Sequence, residues 1–488
     1  MKLKKVIGTM AALLFMPAAT AGETLELTLA DAIARAQQHS PEAQAARHTY
    51  LAAYWNYRFY RANYLPSVTL SASPELNHQI NRITQSDGTE RFLNQNQLNS
   101  DLTLTVSQNV WFTGGNLFAT SSVRRMDVLD NHTFSYNTNP ITIGYSQSLF
   151  GYNSLKWDRR IQPMAYREAC KAYAETLELV AAQTCNLFFI LASAQADRDI
   201  AMANYASADT LFRYAEGRYR IGTITKNEML QLEINKLNEE ANLLDAQTNV
   251  EDATQSLRSF LGLTQPVELR VLTEHRIPQV EVAAAHALEL AYACSPDPEA
   301  HQRRIVEGKS NLARAKANAG LKADLYLQFG LSQTGDRLDD AYRRPLNQQY
   351  VSLSLSLPIL DWGRGKGQVR VARSQLALTE TQVAQQRQDF EQNVVRMVRQ
   401  FNLQGRRVAI AWRTDSTAQQ RNEVARRLYL QGKSTVLDWN ASVSEKDAAR
   451  RSYIQALQQF WALYYGLRSL TQYDFARRMP LSHTLPEP

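Results

Sequence analysis

The sequence predicts an α+β protein in which short alternating strands feed very long helices, the whole arrangement being built twice. Three observations predict it. Chain-breakers are scarce, with Gly 20 and Pro 15 in 488 residues, below the usual ~7% and ~5%, so elements should run long. Several segments alternate apolar with Ser, Thr or Gln side chains at period two. Landmarks of the first half recur in order in the second. With 44% apolar and 21% charged residues, a disordered chain is excluded. No uninterrupted run of about 18 apolar residues follows the first twenty positions, which argues against a helical membrane span.

The chain opens on Lys2, Lys4 and Lys5, an apolar run from Val6 to Met16, then Pro17 and Ala19-Thr20-Ala21. That pattern reads as a signal peptide over residues 1–21. Its three lysines inflate the net charge of +7, leaving 51 basic against 47 acidic residues in the remainder. A balance so near neutral gives no electrostatic case for nucleic acid. The cysteine count of three is odd, so at least one thiol stays unpaired. Cys170 and Cys185 share one expected helix, about 22 Å apart, beyond the ~7 Å reach of a disulfide.

Each half opens with helices. Thr28 to Gln38 is one, and a second restarts at Pro41 behind Ser40; Ser295 and Pro296 repeat that start. Strands follow. Val68, Leu70 and Ala72 oppose Ser67, Thr69 and Ser71; Ile141, Ile143 and Tyr145 oppose Thr142, Gly144 and Ser146. In the second half Leu325, Leu327 and Phe329 oppose Tyr326 and Gln328, and Val351, Leu353 and Leu355 oppose Ser352 and Ser354. Such alternation fits a half-buried strand of a soluble sandwich or a barrel wall between lipid and water. Two strands per half are expected, and the first half carries an insertion near residues 100–140 holding Gly114-Gly115, either a further hairpin outside the main sheet or a loop.

Long helices close each half. From Leu155 to Gly217 the only Pro is Pro163, and from Gln368 to Gln431 there is one Gly, Gly405, and no Pro. About 63 helical residues run roughly 95 Å, too long for a globular core. Phe390, Val394, Met397, Phe401 and Val408, and again Tyr453, Leu457, Phe460, Tyr464 and Leu467, make a coiled-coil seam. Tyr219-Arg-Ile-Gly222 echoes Tyr429-Leu-Gln-Gly432, and the same spacing aligns Leu257-Arg258-Ser259 with Leu467-Arg468-Ser469. The expected organisation is a first repeat over 22–270 with a hairpin tip near 217–228, a second over 271–472 with a tip near 428–438, and a flexible tail over 473–488.

Site chemistry is sparse. Gly363-Arg-Gly365-Lys-Gly367 follows a strand and opens a helix, but no βαβ unit surrounds it, so it reads as a strand-to-helix exit and not a phosphate cradle. The eight histidines form no i,i+4 ligand pair, and no Gly-x-Ser-x-Gly elbow occurs. No enzyme, cofactor or metal is expected. The turning points are the informative places: Gly222 and Gly432 are each followed six residues on by an acid, Glu228 or Asp438. Each acid alone suits a helix N-terminus; repeated around a symmetric assembly, the pair would make a charged constriction.

Leu29-Ala-Asp-Ala-Ile33 with Ser40-Pro41-Glu42, Tyr64-Leu65-Pro66 before a strand, Leu360-Asp361-Trp362-Gly363-Arg364 before a helix, and the two Tyr-x-x-Gly turns together resemble the TolC family. The resemblance implies a homotrimer whose chains each give four strands to a twelve-stranded outer-membrane barrel, continued by a periplasmic coiled-coil tunnel. It implies a passive exit duct of a tripartite efflux or type I secretion system, embedded in outer-membrane lipid. Its partners would be a periplasmic adaptor and an inner-membrane transporter of RND, ABC or MFS type, with no nucleic acid. By position, Ile221, Gly222, Gln431 and Gly432 would meet the adaptor, and Asp438, Glu228, Tyr429 and Asn227 would form the gate. Ser434 stands where the best-known members place an Arg, and Ala441 where they place an acid, so a salt-bridged lock is not expected. Four strands cannot close a membrane barrel alone, since the smallest have about eight; spanning strands therefore require an oligomer. The alternative reading is a periplasmic coiled-coil adaptor or scaffold, which would carry one hairpin and not two.

Overall fold

The computed structural model describes residues 24–487 apart from Pro266, Glu274, His275, Gly432, Thr435 and Ser482. The signal peptide expected over 1–21 lies outside the described residues. β1 (Thr24–Thr28), α1 (Leu29–His39) and α2 (Pro41–Ala62) open the chain, followed by β2 (Ser67–Thr84), β3 (Glu90–Val110), β4 (Gly115–Val128) and β5 (Thr133–Ser148). A first helical hairpin, α3 (Ser154–Arg220) and α4 (Lys226–Phe260), leads to β6 (Glu268–Leu272), α5 (Ala284–Cys294) and α6 (Asp297–Ala319). β7 (Lys322–Gly335) and β8 (Leu346–Ser356) precede the second hairpin, α7 (Arg364–Leu430) and α8 (Val436–Thr471), and β9 (Tyr473–Asp474) and β10 (Met479–Pro480) end the chain.

Two compact units result, each drawing on both halves of the sequence. The sheet unit comprises Thr49–Ala172 and Ser295–Gln392 with the last residues. Its six strands run β2-β3-β4-β5-β7-β8, every neighbouring pair antiparallel. The expected barrel takes four strands from each chain, and this sheet holds two more. The segment near 100–140 is neither a loop nor a hairpin outside the sheet; it completes β3, forms β4 and begins β5. Gly114 makes the reversal possible: its φ is +81°, a conformation that costs a residue with a Cβ roughly 1–2 kcal/mol. The closing residues of β3, Ser107-Gln-Asn-Val-Trp111, also echo those of β5, Ser146-Gln-Ser-Leu-Phe150, as if a strand pair had been added.

The apolar face of this sheet is left exposed. Val68, Leu70, Ile143, Phe329, Val351 and Leu353 are all at least half exposed. On the inner strand β5 the alternate face is covered, with Thr142 at 3% exposure, while β2 and β8 expose both faces; on the other side of a bulge the Thr138 hydroxyl bonds the Ala341 carbonyl. A sandwich would cover the apolar face and wet the polar one. An exposed apolar face on these strands suits lipid outside and water inside.

The helical unit comprises the N-terminal segment through His48, Tyr173–Cys294 and Asn393–His483. Val394, Phe401 and Val408 of α7 and Tyr453, Leu457, Phe460 and Leu467 of α8 are all buried, with Phe401 and Phe460 ring centroids 5.3 Å apart. Each such side chain contributes about 1.5–3 kcal/mol of burial, so the heptad seam holds this hairpin together. α3 contains a window that length and composition alone would allow to cross a membrane, against the sequence expectation, but 56% of it is buried by protein. β1 pairs in parallel with β6, Leu25 against Leu269 and Leu27 against Val271, and Gln195 of α3 bonds both the Leu269 carbonyl and the Val271 amide. At the entry to the second hairpin, Asp361 accepts from the Gly363 and Gly365 amides at 2.9 and 2.8 Å. The glycine-rich segment is thus a capped strand-to-helix exit.

Candidate functional site

The two hairpin tips close by the same backbone device. At the first, the Gly222 amide donates to Tyr219 O at 3.0 Å and the Thr223 amide to Arg218 O at 2.9 Å. Gly222 takes φ +78° to allow it, the Schellman ending that favours glycine. At the second, the Lys433 amide donates to Leu428 O at 2.9 Å, the equivalent bond. Gly432 itself and the side chain of Tyr429 lie outside the described residues. Ile221 is 74% exposed, and Gly222, Gln431, Asn227, Glu228 and Asp438 are exposed with it.

Both tip acids have local bonds. Thr225 caps α4: its hydroxyl accepts from the Glu228 amide at 3.2 Å, while the Glu228 carboxylate accepts from the Thr225 amide at 2.8 Å and hydroxyl at 3.0 Å. This reciprocal capping box holds the Glu228 carboxyl below its ordinary range through the Thr225 backbone and hydroxyl bonds. At the second tip the Ser434 hydroxyl donates to Asp438 Oδ2 at 3.3 Å, so the residue standing in place of an arginine still touches the acid. Beside the first tip, Tyr214, Arg218, Ile224, Glu228 and, from α8, Asn440 line a groove of about 580 Å³.

The structure also shows functional-looking polar residues that carried no signal in the sequence. Along the contact of α3 with α8, four polar pairs recur: Asn204–Asp447 at 3.1 Å, Asp197–Arg451 at 2.6 Å, Asn186–Gln458 at 2.7 Å, and Glu178–Arg468 at 2.8 and 3.1 Å. The last is fully buried at Glu178. His483 Nε2 lies 3.0 Å from Glu178, and Arg468 also approaches Asp474 at 3.7 Å. Asp474 in turn accepts from Tyr464 Oη at 2.6 Å and from the Ala476 and Arg477 amides. Burial alone would raise the Glu178 carboxyl; His483 and Arg468 outweigh it and hold it below the ordinary value. Asp474 and His483 of the tail thus contact the helices in a buried polar cluster.

Comparison with known proteins agrees with this architecture. The chain matches the family described as Outer membrane efflux protein over residues 113–263 and 299–471, more than half of its length. No curated protein matches it in sequence. Among solved structures it is similar to the Campylobacter jejuni CmeC outer membrane channel, with TM-score 0.67 and 12% identity over 94% of this chain and 87% of that one. It is also similar to the outer-membrane channel OprN, with TM-score 0.64 and 15% identity over 91% and 89%. The Neisseria gonorrhoeae MtrE outer membrane channel in its open state gives TM-score 0.58 and 14% identity over 91% and 88%. At such identities the likeness speaks for the fold, while the family match covers both halves. The chain belongs to the outer membrane efflux protein family and is an outer-membrane efflux channel with a long helical part.

Proposed function

We propose that three copies form a passive exit duct that takes substrates from an inner-membrane transporter through a periplasmic adaptor, without chemistry of its own. The observation that carries this reading is the sheet with its apolar face exposed, joined in one chain to two hairpins with exposed tips. A transporter of RND, ABC or MFS type fits such a duct, since selection would reside in the pump. Ile221, Gly222, Gln431 and Gly432 are the proposed adaptor contacts, with Ile221 offering an exposed apolar side chain beside a left-handed glycine turn.

The proposed gate is an acidic ring from Asp438, with Glu228, Asn227 and Tyr429 nearby in the tips. Around a threefold axis, like charges brought together attract a divalent cation or repel one another. The test is single-channel current in planar bilayers with divalent cations on the periplasmic side. Block is expected in the parent protein and should weaken at least tenfold in Asp438→Ala, with smaller loss in Glu228→Gln. Undiminished block in Asp438→Ala would remove the ring from the reading.

A further inference from the structure

The two ends of the sheet differ in charge and in how that charge is held. At one end every strand meets a helix or the Trp111 turn: β2 starts and β8 ends there, Val110 of β3 opposes Gly115 of β4, and Ser148 of β5 opposes Asp324 of β7. The long helices leave from that end, so it is the periplasmic one. Residues 49–66, 107–116, 146–160, 311–324 and 356–370, which surround it, hold eleven Lys and Arg against three Asp and no Glu. Among the described residues, no salt bridge includes any of the eleven. At the opposite end, residues 82–91, 124–133 and 335–346 hold seven charges of each sign. There the signs are paired, as in Arg82–Glu90 at 3.2 Å, Arg125–Asp127 at 2.7 Å and Arg343–Asp340 at 3.4 Å.

The periplasmic cations stand among aromatic side chains instead. Trp55, Phe59, Trp111, Phe112, Phe150 and Trp362 are all exposed at this end. The Arg159 guanidinium lies 4.0 Å over the Trp111 ring, and that of Arg160 lies 5.7 Å from the ring of Trp157. The turn presenting Trp111 and Phe112 is fixed, because the Asn153 amide donates to their carbonyls at 3.0 and 3.4 Å. Beside that turn, Arg61 of α2 and Arg159 of α3 line one groove of about 510 Å³ with Tyr60, Tyr64 and Trp111. Tyr64 Oη donates to Leu155 O at 2.8 Å, which ties α2 to the start of α3 and holds the two arginines on opposite helices. No acid is among the described residues lining the groove.

Trp and Phe settle at the level of lipid headgroups, and a guanidinium grips a phosphate through paired N–H donors. Leu65 of the groove leads into β2, whose Val68 and Leu70 open the exposed apolar face. We propose that this end of the sheet is a collar for anionic phospholipid: a headgroup phosphate lodges between Arg61 and Arg159, and its acyl chains run along the apolar face. A zwitterionic lipid carries the same phosphate with an ammonium that offsets it, so uncompensated cations favour the headgroup of net negative charge. The collar fixes the depth at which the sheet sits in the bilayer. It depends on the outer-membrane seat of the sheet and not on the trimeric duct.

The test is native mass spectrometry of the full chain in neutral detergent, titrated with phosphatidylglycerol and, separately, with phosphatidylcholine of the same acyl chains. Phosphatidylglycerol should bind about tenfold more tightly or better. Arg61→Gln and Arg159→Gln should each weaken it about fivefold and together about 25-fold, since one cation near an anionic surface is worth about fivefold. Phosphatidylcholine should change little. Arg61→Lys combined with Arg159→Lys should keep most of the preference, and Arg337→Gln with Arg343→Gln, at the opposite end, should keep all of it. Equal binding of the two lipids, or a preference that survives Arg61→Gln with Arg159→Gln, overturns the collar. Displacement of phosphatidylglycerol by an excess of inorganic phosphate overturns it too, because the groove would then serve the free anion.

Discussion

Where the tail returns onto the helical unit, Glu178 and Arg468 form a two-pronged buried pair to which Asp474, Tyr464 and His483 are tied. At the hairpin tips of the same unit, Glu228 is bonded within its own capping box and Asp438 receives Ser434 from its own turn. Both regions are rich in carboxylates, yet one joins segments nearly 300 residues apart in sequence and the other joins neighbours within a turn. The difference teaches where motion is cheap. Opening the buried cluster exposes a charge that protein alone has been solvating, whereas shifting one tip past another breaks none of the local caps. The gate proposed at the tips would draw on this asymmetry.

The strongest way to break the comparison is to cut the buried pair. Arg468→Ala should destabilise the helical unit by about 3–5 kcal/mol, because it leaves the Glu178 charge buried without its partner. Thermal unfolding followed by helical circular dichroism reads it. Glu178→Met combined with Arg468→Met should recover most of the loss, since an apolar pair of similar volume needs no solvation. If the single variant melts with the parent, the cluster does not weld these helices.

Acid should act on the same place. The Glu178 carboxyl is held below its ordinary value of 4.5, so the stability it contributes is fully present above that value and is lost as pH falls through the lowered folded value. The melting temperature should be flat from neutrality to about pH 5 and fall below about pH 4. Glu178→Gln should begin lower and lose that part of the acid slope. An acid slope unchanged in Glu178→Gln would assign it to other carboxylates.

These residues also show what the sequence could carry. The long helices were legible because they needed only an absence of Gly and Pro: boundaries expected at Leu155 and Gln368 fall at Ser154 and Arg364. The tips were legible because both halves repeat Tyr-x-x-Gly. β4 was not, since Leu117-Phe-Ala-Thr-Ser-Ser-Val-Arg-Arg-Met126 alternates weakly and ends in two arginines; its assignment comes from register with β3 and β5, a long-range property. Glu178 likewise looks like any charge on a helix until α8 arrives to bury it. Ser434 looked like a missing lock, yet it hydrogen-bonds the acid four residues on, as local turn geometry and not substitution by charge would dictate.

A milder probe concerns the turn itself. Gly222 has open space around its missing Cβ, so Gly222→Val meets no clash and only the strain of φ +78°, about 1–2 kcal/mol. The cost should be confined to the tip, visible as faster amide exchange over residues 218–225 while the melting temperature of the buried cluster stays put. A fall in the global melting temperature would mean that tip and base unfold together, and the contrast between them would fail.

The smallest expected effect isolates the cap. Thr225→Ala removes the hydroxyl that accepts from the Glu228 amide and leaves the Glu228 carboxylate its bond to the Thr225 amide. Loss of such a cap costs about 1 kcal/mol, equivalent to roughly fivefold faster exchange of the first α4 amides, and half of the box survives to hold the helix start. Glu228→Gln tests the other half: the amide oxygen still accepts from Thr225, so the helix start should stay protected while the charge is gone. That pair of variants separates structure from electrostatics at the tip. If Thr225→Ala alters divalent block while Glu228→Gln does not, Glu228 serves the pore through the fold of its helix. The reverse result would give its charge a place in the gate beside Asp438.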